Sequence, residues 1–337
     1  MPRSRQAGFG LVELMVSMLL GLILIGGILS IFLSNQQTFR SNEGLARLQE
    51  NARISFELMA REIREAGGNP CGARAVSNVV KTSTTTWSLN WDAGTVIGAD
   101  DTQTITAVVT GTSSANRKTN TDAIQVMTGS LGESVALSSN TTATAELTVA
   151  TSSHSITATD VVMACDSTSA AITQITSVVG TSLFHISTGT TVPGNCSQGL
   201  GYPVSCASAT GAAKTFQAGG FVAPLTSVVW YVGTNSRGGS SLFRASRGSG
   251  VSVTLEEIAE GVTDMEIEYL LRDEATGNLD ATWVGASSVA AWTPATAKQV
   301  VAVRVTLDLE TLSKVGTDQA TLKRQQIFVV NLRNRVI

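Results

Sequence analysis

The side chains able to do chemistry are few and scattered. Four cysteines stand at Cys71, Cys165, Cys196 and Cys206, and none of their spacings is the CxxC of a zinc site. In an oxidising compartment they would form two disulfides, for which three connectivities exist. The short loop between Cys196 and Cys206, holding Gly199, Gly201 and Pro203, favours that pair and leaves Cys71 with Cys165. The two histidines, His154 and His185, lie in no motif that marks a catalytic triad. Asp100-Asp101 and Asp273-Glu274 are loop acids of a type that suits a hard cation, but the twelve-residue calcium loop is missing and they read as solvated turn acids. "RGGSS" and "RGSG" lack the spacing and following helix of a phosphate loop. Arg117-Lys118, Lys323-Arg324 and Arg333/Arg335 read as ordinary surface charge, and Trp87 and Trp91 as packing residues. No catalytic residue, metal-ligand set or cofactor site emerges, and the expectation is a protein that is not an enzyme. That leaves Glu13, an acid set near the start of a long apolar run.

Residues 14–39 carry no charge at all. Residues 9–33 as a helix would rise roughly 38 Å at about 1.5 Å per residue, enough for a hydrocarbon layer of about 30 Å. Arg3, Arg5 and the terminal amine precede this run, and Arg40, Glu43 and Arg47 follow it. The positive-inside rule then keeps the leader in the cytoplasm and sends everything after Arg40 across the membrane. A secretory signal would have a shorter apolar core followed by a small-residue cleavage site, whereas here the small pair Ala7-Gly8 comes first. A plain anchor explains everything but Glu13. An acid within a spanning helix costs on the order of 2.5–3.5 kcal/mol at its centre, less near its end, and asks for a partner.

The helical pattern continues outside the membrane. Leu45, Leu48, Ala52, Phe56, Met59 and Ile63 recur at helical spacing as one apolar stripe. Glu43/Arg47, Arg53/Glu57, Glu57/Arg61 and Arg61/Glu65 are opposite charges four apart on the solvated face. Gly67-Gly68 and Pro70 stop the helix. Beyond it, Ser, Thr, Ala and Gly dominate residues 77–220, a composition of β-strands and polar loops outside the cell. Strands are expected at "DAIQVMTG", "AELTVAT", "DVVMACD" and "AITQITSVV", and a stapled loop at 189–219. "VVWYVG" and "SLFRAS" flank the turn "TNSRGG" as a hairpin, and "DMEIEYLLRD", "VVAVRVTLDLE" and "QQIFVVNLRNRVI" complete the strands, the second with clean period-2 alternation. With 23 Lys+Arg against 26 Asp+Glu, a net charge of -3, there is no global basic field for nucleic acid.

"GFGLVELMVSMLLGLILIGG" resembles the signal of type IV prepilins and type II secretion pseudopilins: a basic leader ending in Gly, then Phe, then Glu five residues into the mature chain. Only Gly10 departs, where Thr or Ser is commoner. The C-terminal order of "LEEIAEGVTDMEIEYLL", a Trp-containing loop, "VVAVRVTLDLE" and "VVNLRN" resembles the PilW-like minor pilins and is similar to the J-type pseudopilins. "GGNPCG" and "DVVMACD…AITQIT" fit the PilW pattern and give a second reason to pair Cys71 with Cys165. The resemblance implies an α+β, pilin-like fold: a long N-terminal helix, transmembrane in its first half, packed on a β-rich head of antiparallel sheets. The implied organisation is a leader at 1–8, a transmembrane helix at 9–33, an amphipathic spine at 34–66 and a periplasmic or extracellular head at 67–337. It also implies a prepilin peptidase that cuts after Gly8 and N-methylates Phe9, and a Glu13 that pairs with the N-terminal ammonium of a neighbouring subunit. The implied partners are other minor pilins and the major pilin, with residence in the inner membrane before assembly and in the pilus afterwards. No cofactor and no direct nucleic-acid contact are expected. The alternatives are a J-type component of a secretion pseudopilus and, from another class, a membrane-anchored adhesin or lectin.

Overall fold

Helix α1 (Leu11–Glu65) is 55 residues long. Its sequence contains no proline and is rich in Leu, Met, Ile, Glu and Arg, which favour or tolerate helix. It stops because Gly67 takes a φ of +73°, the left-handed conformation of a helix C-terminal glycine. The Gly68 N–H then closes on the Glu65 carbonyl at 2.9 Å. The side chain of Asn334 donates to the Glu65 and Ala66 carbonyls at 3.3 and 3.2 Å, satisfying two of the orphan acceptors at the helix end. The computed structural model describes residues 10–82, 86–129, 132–189, 192–217, 219–247, 253–293, 296–316 and 320–334.

Two compact units are built on this chain: Met1–Glu50 with Glu310–Lys323, and Asn51–Leu309 with Arg324–Ile337. In the first, the 310–316 segment lies on the helix. Gln37 Nε2 donates to the Gly316 carbonyl at 2.8 Å and the Ser41 hydroxyl donates to the Val315 carbonyl. Gly44 permits this approach, since a Cβ there would stand 3.0 Å from Val315 Cγ2.

The second unit holds two sheets. The larger comprises β1 (Val76–Asn78), β2 (Val96–Ala99), β3 (Ala123–Gly129), β4 (Val135–Thr141), β5 (Glu146–Val149), β6 (Val161–Cys165), β7 (Ala170–Gln174), β8 (Ser177–Val179), β9 (Ser182–Phe184), β10 (Phe221–Thr234), β11 (Ser240–Arg247) and β12 (Thr254–Glu260). Strand β10 organises it. Its run "FVAPLTSVVWYVGT" is buried along nearly its whole length, the pattern of a strand covered on both faces. Residues 221–224 pair with β6 and residues 225–231 with β3, so the neighbour changes just after Pro224, which has no N–H to give a ladder. The expected hairpin is present as β10–β11 with Thr234 opposite Ser240. The pairs are antiparallel apart from β1 with β7.

Strands β13 (Val262–Asp273), β14 (Lys298–Glu310) and β15 (Lys323–Asn331) form the second sheet in that order. The alternation read in β14 is realised: Val303, Val305, Leu307 and Leu309 are buried while Arg304, Thr306 and Asp308 are half-exposed. Ile267 lies opposite Val305 in the antiparallel β13–β14 ladder.

The cysteines pair as Cys71–Cys165 and Cys196–Cys206, with Cα separations of 5.9 and 5.2 Å. The first ties the loop after α1 to the end of β6, above a core of Trp91, Met127 and Met163. The second staples the long loop before β10, which the Cys196 N–H to Val79 carbonyl bond (2.8 Å) also holds. The bridges span 94 and 10 residues, so chain entropy in the unfolded state favours the first by roughly 4.7 against 2.7 kcal/mol. Removing Cys71–Cys165 by a double serine substitution should therefore lower the melting temperature more than removing Cys196–Cys206, as thermal unfolding followed by circular dichroism would measure.

Candidate functional site

The helix presents its function in two stretches. From Leu11 to Leu33 the large apolar side chains are exposed, Leu11 at 78% and Leu33 at 61%. Residues 11–33 rise about 34 Å, and α1 is long and apolar enough to cross a membrane. Glu13 sits in the first helical turn, with its N–H and that of Leu14 bonded to the Gly10 carbonyl at 3.1 and 3.2 Å. A carboxylate there meets the positive end of the helix dipole, and its side chain is exposed. Gly8 and Phe9 lie outside the described residues.

From Asn51 onward the helix becomes a packed spine. Ala52, Ser55, Met59, Ala60 and Ile63 are buried, and Phe56 meets Phe328 edge-on at 4.7 Å between ring centres. Leu45, the expected first member of the stripe, is exposed, but from Leu48 onward the stripe was legible in the sequence. Its polar counterpart was not: Glu62, which faces the sheet, accepts from Trp230 Nε1 at 2.7 Å and from Arg244 Nε at 2.9 Å. Arg244 also reaches Glu256 at 2.9 Å. Of the four charge pairs expected on the solvated face, Glu43–Arg47 and Arg53–Glu57 are closed, at 2.7 and 2.8 Å.

The remaining candidates are placed as follows. Arg117, read as surface charge, is instead completely buried. Its guanidinium donates to the carbonyls of Gln103 (2.7 Å), Ala99 (3.2 Å) and Thr121 (3.0 Å from Nε), so it gathers the turns around residues 99–121 and is closed to nucleic acid. Burial moves its pKa down, against the opposing pull of Asp122, Asp101 and Asp100. Lys118 is held by Ser240 Oγ at 2.8 Å. Asp100 accepts from the Ala286 and Ser287 N–H groups at 2.6 and 2.7 Å, and Asp273 from Ala275 and Thr276 at 3.0 and 2.9 Å. Both are turn caps. Trp91 is core, and Trp87 packs partly buried beside Tyr231 and Phe243. His185 is buried, which pushes its pKa down to about 4.

One cluster escaped the sequence because its members are far apart in the chain. Asp101, Asp122 and Glu266 bring carboxylate oxygens within 4.8 Å of one another. Asp122 joins the two sheets: its N–H donates to the Met265 carbonyl at 2.8 Å and its carboxylate accepts from the Ile267 N–H at 2.7 Å. Burial pushes Asp122 up to about 6 despite the bonds its carboxylate accepts from the Ile267 and Asp101 N–H groups. Glu266 stands at the rim, where lost hydration and then the charges of Asp122, Asp264, Asp101 and Asp100 raise it to about 7. Nearby, the Tyr269 ring covers Gly98 at a place where any Cβ would collide.

Residues 229–331 match the family model described as Type IV Pilus-assembly protein W, and residues 3–29 match the Prokaryotic N-terminal methylation motif. No curated protein and no solved structure gives a significant match. The C-terminal match begins within β10 and ends with β15, so it takes in the whole second sheet. The two matches are consistent with a PilW-like type IV minor pilin, and they support a type IV pilus-related protein of a structural kind.

The acid cluster makes stability depend on pH. Glu266 and Asp122 have folded-state pKa values above the ordinary carboxylate values. Their proton-linked stabilisation is therefore complete below those ordinary values and is lost as pH rises through about 6 to 7. Glu266→Gln should raise the melting temperature over wild type at pH 8, with the advantage shrinking as pH falls and vanishing only below about pH 4, under the ordinary carboxylate value, as paired thermal melts across that range would record.

Proposed function

We propose that this chain is a PilW-like minor pilin that enters a type IV pilus after its leader, residues 1–8, is removed. In this reading a prepilin peptidase cuts between Gly8 and Phe9 and methylates the new N-terminus. Residues 9–33 hold the subunit in the inner membrane with residues 67–337 on the far side. The subunit then joins other minor pilins and the major pilin in a priming or tip complex. A head of that length is bulky for a shaft position and suits an end, which supports pilus biogenesis and, through it, twitching motility, adhesion or DNA uptake. The PilW match over the second sheet favours the pilus over a secretion pseudopilus.

The single observation that carries the reading is the conjunction of an exposed apolar helix with Glu13 in its first turn. Apolar side chains exposed over such a length need a lipid or protein environment. Once in it, the Glu13 carboxylate loses its water and needs a counter-charge. An N-terminal ammonium on an adjacent subunit supplies one, while removing either partner leaves the other buried and uncompensated. Glu13 is thus a register device in assembly.

Mass spectrometry of the N-terminal peptide should find it beginning at a methylated Phe9 in cells with an active prepilin peptidase. Glu13→Gln should be processed normally yet be depleted from sheared fibres, by immunoblot, relative to wild type. Incorporation of that variant at wild-type levels would refute the assembly role.

A further inference from the structure

A cavity of about 410 Å³ lies beside the C-terminal end of α1, walled by the loop after the helix, the turn around Trp91, the adjoining ends of β13 and β14, and the residues after β15. Its charged lining is three arginines, Arg74, Arg272 and Arg333, against one carboxylate, Glu274. Arg272 is engaged with that carboxylate: its Nε and Nη2 meet Glu274 Oε1 at 3.1 and 2.8 Å. Among the described residues, Arg74 and Arg333 have side chains with no hydrogen bond or ion pair, so the cavity holds a surplus of two positive charges.

The backbone beneath those two side chains is nonetheless firmly held. Asn69 Oδ1 accepts from the Cys71 and Ala73 N–H groups at 3.1 and 3.0 Å, and Asn69 Nδ2 donates to the Ala73 carbonyl at 2.8 Å. The Cys71–Cys165 bridge anchors the same turn. On the other wall, the Arg333 N–H donates to the Arg64 carbonyl at 3.2 Å, and Asn334 caps the helix end. Two uncommitted arginine side chains thus line one concavity from backbone that is already held, so binding has only the side chains themselves left to order. A guanidinium fork matches the two oxygens of a carboxylate. The volume is in the range that encloses a ligand of many atoms and exceeds what a lone small anion fills. The wall also includes Gly72, Ala73 and Val76, small or short side chains beside Arg74.

We propose that this cavity binds an acidic peptide segment, with two of its carboxylates docked on Arg74 and Arg333. In a fibre that segment belongs to a neighbouring subunit, a source that rests on the pilin reading; the binding itself does not.

The test uses the full chain in detergent, where no fibre forms, so its outcome is separate from that of the assembly experiment. A fluorescein-labelled peptide of alternating glutamate and glycine is titrated by anisotropy, beside its glutamine counterpart and with inorganic phosphate as competitor. Saturable binding is expected for the glutamate peptide and none for the glutamine one. Arg74→Ala/Arg333→Ala should weaken binding by roughly tenfold or more, the size of effect set by losing charged hydrogen bonds. Arg237→Ala, which removes an exposed arginine paired elsewhere with Glu257 and Glu260, should change nothing. An unaltered affinity in the double variant, an equal loss in Arg237→Ala, or displacement by phosphate at a concentration matching the peptide's own affinity would each overturn the proposal. The first would remove the arginines from the site, the second would reduce the binding to general charge, and the third would make it a small-anion site.

Discussion

A single helix carries two surface patterns, and the rest of the structure follows from that constraint. Its first stretch is apolar all round, a pattern that fits hydrocarbon, where lipid would meet every face. Its second stretch is apolar on one face only, because protein meets one side and water the other. The change of pattern falls between Leu33 and Leu45, where Asn35, Gln36, Gln37, Arg40 and Glu43 enter the sequence. A helix of this kind supplies its own backbone hydrogen bonds throughout, so it passes between environments without leaving polar groups unpaired.

The head solves a different problem. Its composition is poor in large apolar residues over 77–220, and several of its fastenings are polar and buried or partly buried. Arg117 ties the end of β2 to the turns at Gln103 and Thr121, Asp122 bonds across from the larger sheet to the smaller, and Glu62 bonds the spine to Trp230 and Arg244. Each is expensive to bury alone and acceptable only with its donors or acceptors in place. Such groups contribute specificity of docking more than raw stability. The two disulfides add constraint at the places where strands are sparse, after the helix and in the loop before β10.

Strand β13 runs between an acidic cluster and a basic recess. Asp264 and Glu266 lie near its start beside Asp101 and Asp122, while Arg272 lies near its end beside the arginine-lined cavity. Arg272 lies six residue steps along the strand from Glu266, about 20 Å at about 3.4 Å per residue. A chain of nearly balanced composition thereby acquires an acidic seam and a basic recess on one unit, a distinction invisible in the net charge of -3.

How much of this the sequence could disclose depended on the range of the interaction. The helix, its stop at Gly67, the apolar stripe, the β10–β11 hairpin and the alternation of β14 are set by residues within a turn or a strand of one another, and they were legible. The apolar run with Glu13 was legible for the same reason: hydropathy and charge order along one helix are local properties. Tertiary structure alone decided that Arg117 is interior, that Glu62 finds Trp230 168 residues away, that Asp101, Asp122 and Glu266 share one site, and that Arg74 and Arg333 face one cavity. Those groups meet only because strands distant in the chain pair in a particular register. Register is chosen by the burial of whole faces at once, which no short window of sequence contains.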